Sequence, residues 1–213
     1  MSTSQSQLGR PVGADGEQTR ARIITAAMRC VAEKGYSRTT IREIARAADM
    51  TSGSLYHYFP NKSELLDAAV EHIERAAVPR LRAAAGQAGD VVDRLAAVLD
   101  EASRLMREYP QLAAFDRAVS AEIHEHPARG RPKVPGRKAL RDIISEVLDD
   151  AGARGALAPG TDPGAAADAI HALARGLAER AASLDADAYA ATLAAAKDLI
   201  GGTLFAHPPG VHR

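Results

Sequence analysis

The sequence has a single cysteine, Cys30, and no tryptophan. One thiol excludes an internal disulfide, so no covalent staple supports the fold. Cys30 shares a helical stripe with Ile23 and Ala27, which reads as a small buried hydrophobe. Aromatic residues are scarce at 4%, and alanine is abundant in their place. No run of four to eight β-branched or alternating residues reads as a strand. A chain rich in Ala, Leu, Arg and Glu favours helix outside its Gly/Pro joints. The fold class expected is all-α, with about nine helices. No window approaches the roughly 18 apolar residues of a membrane span. The opening MSTSQSQLGRPVGADG lacks an apolar segment, so a secretory leader is not expected and a disordered tail over 1–16 is. The expected location is cytoplasmic, with no membrane partner. No nucleophile–base arrangement or paired-carboxylate site stands out. A catalytic role and a cofactor are therefore not expected.

The net charge is zero over 213 residues, which alone says nothing about nucleic acid. Its distribution says more. Between Glu17 and Lys62 eight Lys or Arg face four acids, leaving the remainder of the chain acidic. A basic N-terminal head on an acidic body is an electrostatic footprint compatible with DNA.

In that head the pattern predicts three short helices. Ile23, Ile24, Ala27, Met28 and Val31 give one apolar face to a first helix from Glu17 to Lys34, with Gly35 as its cap. Thr40 with Glu43 three residues on is a capping box opening a second helix, whose buried face is Ile41, Ile44, Ala45 and Ala48. After Asp49 and Met50 comes TSGSLYHYFPNKSELL. Thr51 or Ser52 can cap a third helix, Leu55 and Tyr58 or Phe59 anchor it inward, and Pro60 stops it. Asn61 to Glu64 restarts a long fourth helix.

The spacing of Ile44, Ala45, Ala48, Met50, Leu55 and Tyr58 is that of a helix-turn-helix, over about 40–59. It explains why the third helix begins with Ser, Gly and Ser, poor choices for stability alone. That end must come close to base edges and phosphates, where short hydroxyls can hydrogen-bond and a glycine removes a side chain. Tyr56 and His57, opposite Leu55, can reach the sugar-phosphate strands. Lys62 can place a charge against a phosphate.

The stretch AAMRCVAEKGYSRTTIREIARAADMTSGSLYHYFPNKSELL closely resembles the DNA-binding domain of TetR-family transcriptional regulators. The likeness runs from Glu17 to about Ala77, roughly the first third of the chain. One departure is Asp49 where the inter-helix turn usually has glycine; Asp tolerates positive φ better than most residues. The resemblance implies that Thr40 and Arg42 meet backbone or a base edge. It implies that Thr51, Ser52, Gly53 and Ser54 face the major groove, with Tyr56 and His57 on the strand backbone and Lys62 on a phosphate. Apart from Arg42 none has the fork that reads guanine, so hydroxyls, methyl contacts and DNA shape are expected to share the specificity.

Beyond the head the joints predict helices at about 62–84, 89–108, 110–126, 134–151, 163–183 and 186–206, with a tail over 207–213. The resemblance implies that 78–206 is a ligand-binding and dimerisation domain. On the last two helices Ala166, Ile170, Leu173, Leu177 and Ala181 form one stripe, and Tyr189, Leu193, Ala196, Ile200 and Leu204 another. With Gly201 and Gly202 permitting close approach, these read as a four-helix interface between two copies; closure of the monomer core is the alternative. A two-fold dimer would require a near-palindromic operator in double-stranded DNA.

Leu105, Met106, Tyr109, Phe115, His124 and His171 bring bulk or polar handles for an unidentified small-molecule effector. Arg175, one turn after His171, could hold an anionic or polar group, or pair with Asp168 or Glu179 instead. His124 and His126 diverge on a helix, so no metal site is expected. The basic loop 128–138 reads as solvated. The function these readings converge on is a dimeric repressor released from its operator by a small molecule. A ligand-independent DNA-binding regulator, or a small-molecule-binding protein whose head no longer reads DNA, stays open.

Overall fold

Local chemistry sets the helix ends. Gly35, at φ 86°, donates its N–H to the carbonyl of Val31 at 2.8 Å and closes the first helix in the left-handed conformation that glycine adopts without strain. The Thr40 hydroxyl accepts from the Glu43 N–H while the Glu43 carboxylate accepts from the Thr40 N–H, so the capping box is reciprocal. The Asn61 side chain accepts from the Glu64 N–H at 2.9 Å. Asp90 accepts from the amides of Val92 and Asp93 at 2.8 and 2.9 Å. Before it, Gly89 has φ 143°, and a Cβ there would lie 2.8 Å from the Cβ of Asp93.

The structure, a computed structural model, describes residues 12–87, 89–109, 111, 114–115, 117–119, 137–181 and 183–204. Among them are eight helices and no strand. They are α1 (Val12–Lys34), α2 (Ile41–Ala47), α3 (Ser52–Tyr56), α4 (Lys62–Ala85), α5 (Val91–Glu108), α6 (Arg137–Ala153), α7 (Pro163–Arg180) and α8 (Ala186–Ile200). The described residues between 111 and 119 are also helical. The all-α expectation holds.

Two cores share α4. Its first half contributes Leu65, Leu66, Ala68, Ala69 and Ile73 to a head core built on Ile23, Ile24, Ile44, Leu55 and Phe59. Its second half contributes Ala77, Leu81, Ala84 and Ala85 to a body core with Leu95, Val98, Ile143, Ile144 and Leu148. The changeover falls between Ile73 and Ala77. The helix continues through Pro79, whose missing N–H and ring clash cost a helix about 3 kcal/mol; buried Ala77 and Leu81 flank it.

Several expectations need correction. The expected tail over 1–16 is too long: α1 begins at Val12, with Asp15 favourably placed in its first turn. At the other end, α8 stops at Ile200 because Gly201 caps it and Gly202 takes φ 70°. The glycine pair terminates the helix, and Leu204 lies beyond it, exposed.

The two stripes assigned to a dimer interface face inward instead. Ala174, Leu177, Tyr189, Leu193 and Ala196 form a buried cluster with Leu99 of α5, against which Leu173, Ala181 and Ile200 pack. Ala166 and Ile170 pack on the body core beside buried Ala167. These stripes close the monomer, and what α7 and α8 turn outward is a face of small residues: Ala165, Ala169, Ala172 and Gly176, with Ala190, Ala191 and Ala194.

Charged pairs tie the body helices. The guanidinium of Arg82 meets Glu146 with two bonds of 2.7 and 2.9 Å. Arg94 donates to Asp150 at 2.5 Å and to the carbonyl of Ala85 at 2.7 Å. Lys197 of α8 reaches Asp100 of α5 at 2.9 Å.

Candidate nucleic-acid interface

The helix-turn-helix is built from residues with almost no surface. Ile44 and Leu55 are fully buried and Ala45 and Ala48 are 1% exposed, so small side chains let α2 and α3 cross closely over the head core. The turn between them is held by its own backbone. The N–H of Met50 donates to the carbonyl of Ala45 at 3.0 Å. Asp49 takes φ 55°, the one non-glycine residue at positive φ among those described, which realises the tolerance expected of Asp at a glycine position. Met50 and Tyr58 are half-buried, and Phe59 rather than Tyr58 is the deep anchor.

With Leu55 seated inward, the opposite side of α3 faces solvent. Thr51 caps the helix: its hydroxyl accepts from the Ser54 N–H at 3.1 Å and lies 2.9 Å from the Ser54 hydroxyl. Gly53, Ser54 and His57 are exposed, Ser52 is half-buried, and Tyr56 is 51% exposed, unusual for a ring of its size. A Cβ on Gly53 would meet only Thr51 Oγ1 at 3.8 Å, so the chain itself does not demand a glycine there. At the start of α2, exposed Thr40 gives its hydroxyl to Glu43 at 2.9 Å. Exposed Arg42 has no ion-pair partner among the described residues. Eight of the nine residues expected at DNA are thus exposed or half-buried and, among the described residues, make no side-chain hydrogen bond beyond their own turn.

Lys62 is the exception. Its ammonium donates to the carbonyls of Tyr36 and Thr39 at 2.8 and 2.9 Å and sits 4.5 Å over the Tyr36 ring. The carbonyls of the α1–α2 loop lie within reach of its flexible stem and take the ammonium that was expected to meet a phosphate. Lys62 straps α4 to the loop that presents α2.

Other residues that position the head escaped the sequence reading. Arg20 donates to the carbonyl of Tyr58 at 3.2 Å and lies 4.2 Å over the Phe59 ring, tying α1 to the end of the recognition segment. Arg29 donates to the carbonyl of Ala47 at 3.3 Å, at the end of α2. Thr39 is 1% exposed, with its hydroxyl 2.8 Å from the carbonyl of Gly35 and 3.1 Å from that of Cys30. Lys34 pairs with Glu43 at 2.5 Å; together with the bonds from Thr40 it lowers the Glu43 carboxyl to about 2. Desolvation raises the pKa of the buried Cys30 thiol and keeps it neutral. No local signal marks most of these partners, because the side chains meet groups nine to 38 residues away.

Residues 23–69 match the family model "Bacterial regulatory proteins, tetR family". The HTH-type transcriptional regulator BetI of Burkholderia mallei is 31% identical over 165 residues, covering 67% of this chain and 84% of that protein. The chain belongs to the TetR family. It is a DNA-binding transcriptional regulator. Two solved structures share the fold: Salmonella enterica GusR, with a TM-score of 0.69, 24% identity and coverage of 93% and 99% of the two chains, and the transcriptional regulator FadR of Bacillus subtilis in complex with stearoyl-CoA, with a TM-score of 0.69, 19% identity and coverage of 87% and 99%. Among the described residues no helix is long and apolar enough to cross a membrane.

The TetR-family body does not bring its expected pocket residues together. Tyr109 and Leu105 line a cavity of about 280 Å³ between α1, α4 and the end of α5. Met106 packs against the head core, and Phe115 is fully buried inside it. His171 is half-buried on α7 and Arg175 is exposed. Asp168 pairs with Arg141 of α6 at 2.7 Å, so the alternative pairing of Arg175 with Asp168 is not formed. His124 lies outside the described residues. Of the basic stretch 128–138 only Arg137 and Lys138 are described; both open α6, and Lys138 pairs with Asp142 at 2.9 Å.

Proposed function

We propose that this TetR-family regulator is a dimeric repressor that reads a near-palindromic operator and leaves it when a small molecule binds. The single observation that carries the DNA reading is the orientation of α3. Leu55 is fully buried while Gly53 and Ser54 are exposed and Ser52 is half-buried, so in this reading the helix end with the least bulk meets the groove. In this reading Thr51, Ser52, Gly53 and Ser54 face the major groove, Tyr56 and His57 meet the strand backbone, and Thr40 and Arg42 contact backbone or a base edge. Gly53 fits the role because only an outside partner would object to a larger side chain there. Lys62 holds the loop before α2 in this structure and, in this reading, meets a phosphate when DNA is bound. The head ends near Ala77, and the body over 78–206 carries the effector and dimer functions.

Dimerisation through α7 and α8 uses their outward small-residue faces, beside which Leu199 is 48% exposed. Small residues permit close helix approach in a four-helix interface, and a two-fold axis would set the recognition helices about 34–36 Å apart. Solution of a FadR with the same fold in complex with stearoyl-CoA supports a small-molecule ligand for the body. Relatives that are regulators rather than catalysts support a non-enzymatic role.

The test is operator selection from a random duplex pool followed by mobility shift at a stated salt concentration. The wild type is expected to enrich a palindrome, and Arg42→Ala or Ser52→Ala to change the enriched sequence. Failure of the wild type to enrich any sequence, or an unchanged preference in both variants, would count against the reading.

A further inference from the structure

We propose that the cavity between α1, α4 and the end of α5 is the effector site, and that it takes a neutral, mainly apolar molecule about the size of two fused rings with one hydrogen-bonding group. This inference rests on the ligand-responsive reading above and adds where the ligand sits and what kind of ligand it is. The cavity, about 280 Å³, lies at the low end of small-molecule sites, which run from about 300 to 1,000 Å³. Its wall includes the buried apolar side chains of Met28 and Leu105, which are 7% and 3% exposed. Thr25, His72, Tyr109 and Gln111 add hydroxyl, imidazole and amide groups, so a ligand can be oriented by hydrogen bonds.

The local charges argue for neutrality. Glu108 is the one carboxylate among the described lining residues, and Arg80 already holds it at 2.5 Å. Arg80 also pairs with Glu101 at 2.6 Å, and Glu101 with Arg104 at 2.6 Å, so two acids face two guanidiniums. Hydrogen bonding from Arg80 holds the Glu101 carboxyl below its ordinary range, keeping it ionised within this set. A charged ligand would shed water on an apolar wall and find no unmatched carboxylate or guanidinium among the described lining residues.

Position gives the site its leverage. Thr25 and Met28 belong to α1, and Met28 is part of the head core. His72, Ile73 and Ala76 belong to α4, whose first residue straps the loop before α2. A molecule here touches the head itself, without relay through the body. It shifts the DNA-binding equilibrium to the extent that it fits the cavity better in the released form than in the bound one.

The experiment uses 1-naphthol as probe and the methionine methyl resonances as readout, since the chain has four methionines and, among the described residues, only Met28 of these lines the cavity. Saturable displacement of the Met28 methyl signal is expected with Met50 unmoved, and bound naphthol should weaken affinity for the selected operator about tenfold. Ala76→Phe, which fills the cavity from α4, should weaken naphthol binding about tenfold or more, with Ala76→Leu as the smaller replacement should the Phe variant not unfold cooperatively. An unmoved Met28 signal, equal naphthol affinity in the filled variant, or occupancy that leaves operator affinity unchanged would each overturn the proposal. Failure of the DNA reading itself would show differently, as a ligand-free protein that retains no duplex.

Discussion

Replacing Lys62 with Met separates the strap from a phosphate contact, because the two roles affect different measurements. Met keeps the aliphatic stem and removes the ammonium, which bonds the Tyr36 and Thr39 carbonyls at 2.8 and 2.9 Å and lies 4.5 Å from the Tyr36 ring. A hydrogen bond from a charged donor contributes about 1.5–3 kcal/mol and an exposed cation–ring contact about 0.5–1 kcal/mol. Lys62 is half-buried, so water recovers part of what the carbonyls lose, and the expected destabilisation is about 2 kcal/mol, near the low end of one such bond plus the ring. Urea unfolding should show this as a lower midpoint at unchanged slope. Loss of a lysine that neutralises a phosphate reduces the salt slope of operator binding by about 0.9. For Lys62→Met that reduction is expected alongside the lower midpoint. Wild-type stability would refute the strap, and an unchanged slope the phosphate contact.

Tyr56→Ala should leave unfolding within about 0.5 kcal/mol of wild type, because the ring is mostly exposed, while weakening binding to all duplex sequences alike; a mobility-shift series over matched and scrambled operators checks it. Glu43 has its folded pKa lowered from 4.5 to about 2, so its contribution is present above the unfolded value and disappears as pH falls through that window. Acid titration of unfolding midpoints should show wild type losing stability between about pH 4.5 and pH 2 more steeply than Glu43→Gln, and parallel curves would contradict the assignment. Ala172→Arg, on the outward face of α7, should give monomers by sedimentation with the fold kept; persistence of a dimer would move the interface elsewhere.

The head was readable because its signals are local. Gly35, the Thr40–Glu43 box, the Asp49 turn and the Thr51 and Asn61 caps each act on amides within a few residues, so spacing alone identifies them. What escaped was set by partners distant in the chain. A lysine at the first position of a helix can reach outward to a phosphate or back to a loop, and only the fold shows that Lys62 turns back to carbonyls 23 and 26 residues away. The stripes of α7 and α8 were found correctly as apolar, but period alone does not say whether an alanine-rich face meets its own core or a second copy. Leu99 of α5 decides it, by packing on both helices from the inside. The cavity was the least legible feature, since Thr25 and His72 come from two helices and Tyr109 from the cap of a third, with no shared motif.

Methylation interference on the selected operator tests the central claim most directly, because guanine N7 lies in the major groove and adenine N3 in the minor groove. If the outward side of α3 enters DNA as described, methyl groups on guanine N7 should block binding in two clusters about one helical turn apart. Interference confined to adenine N3, or none within either half-site, would contradict it.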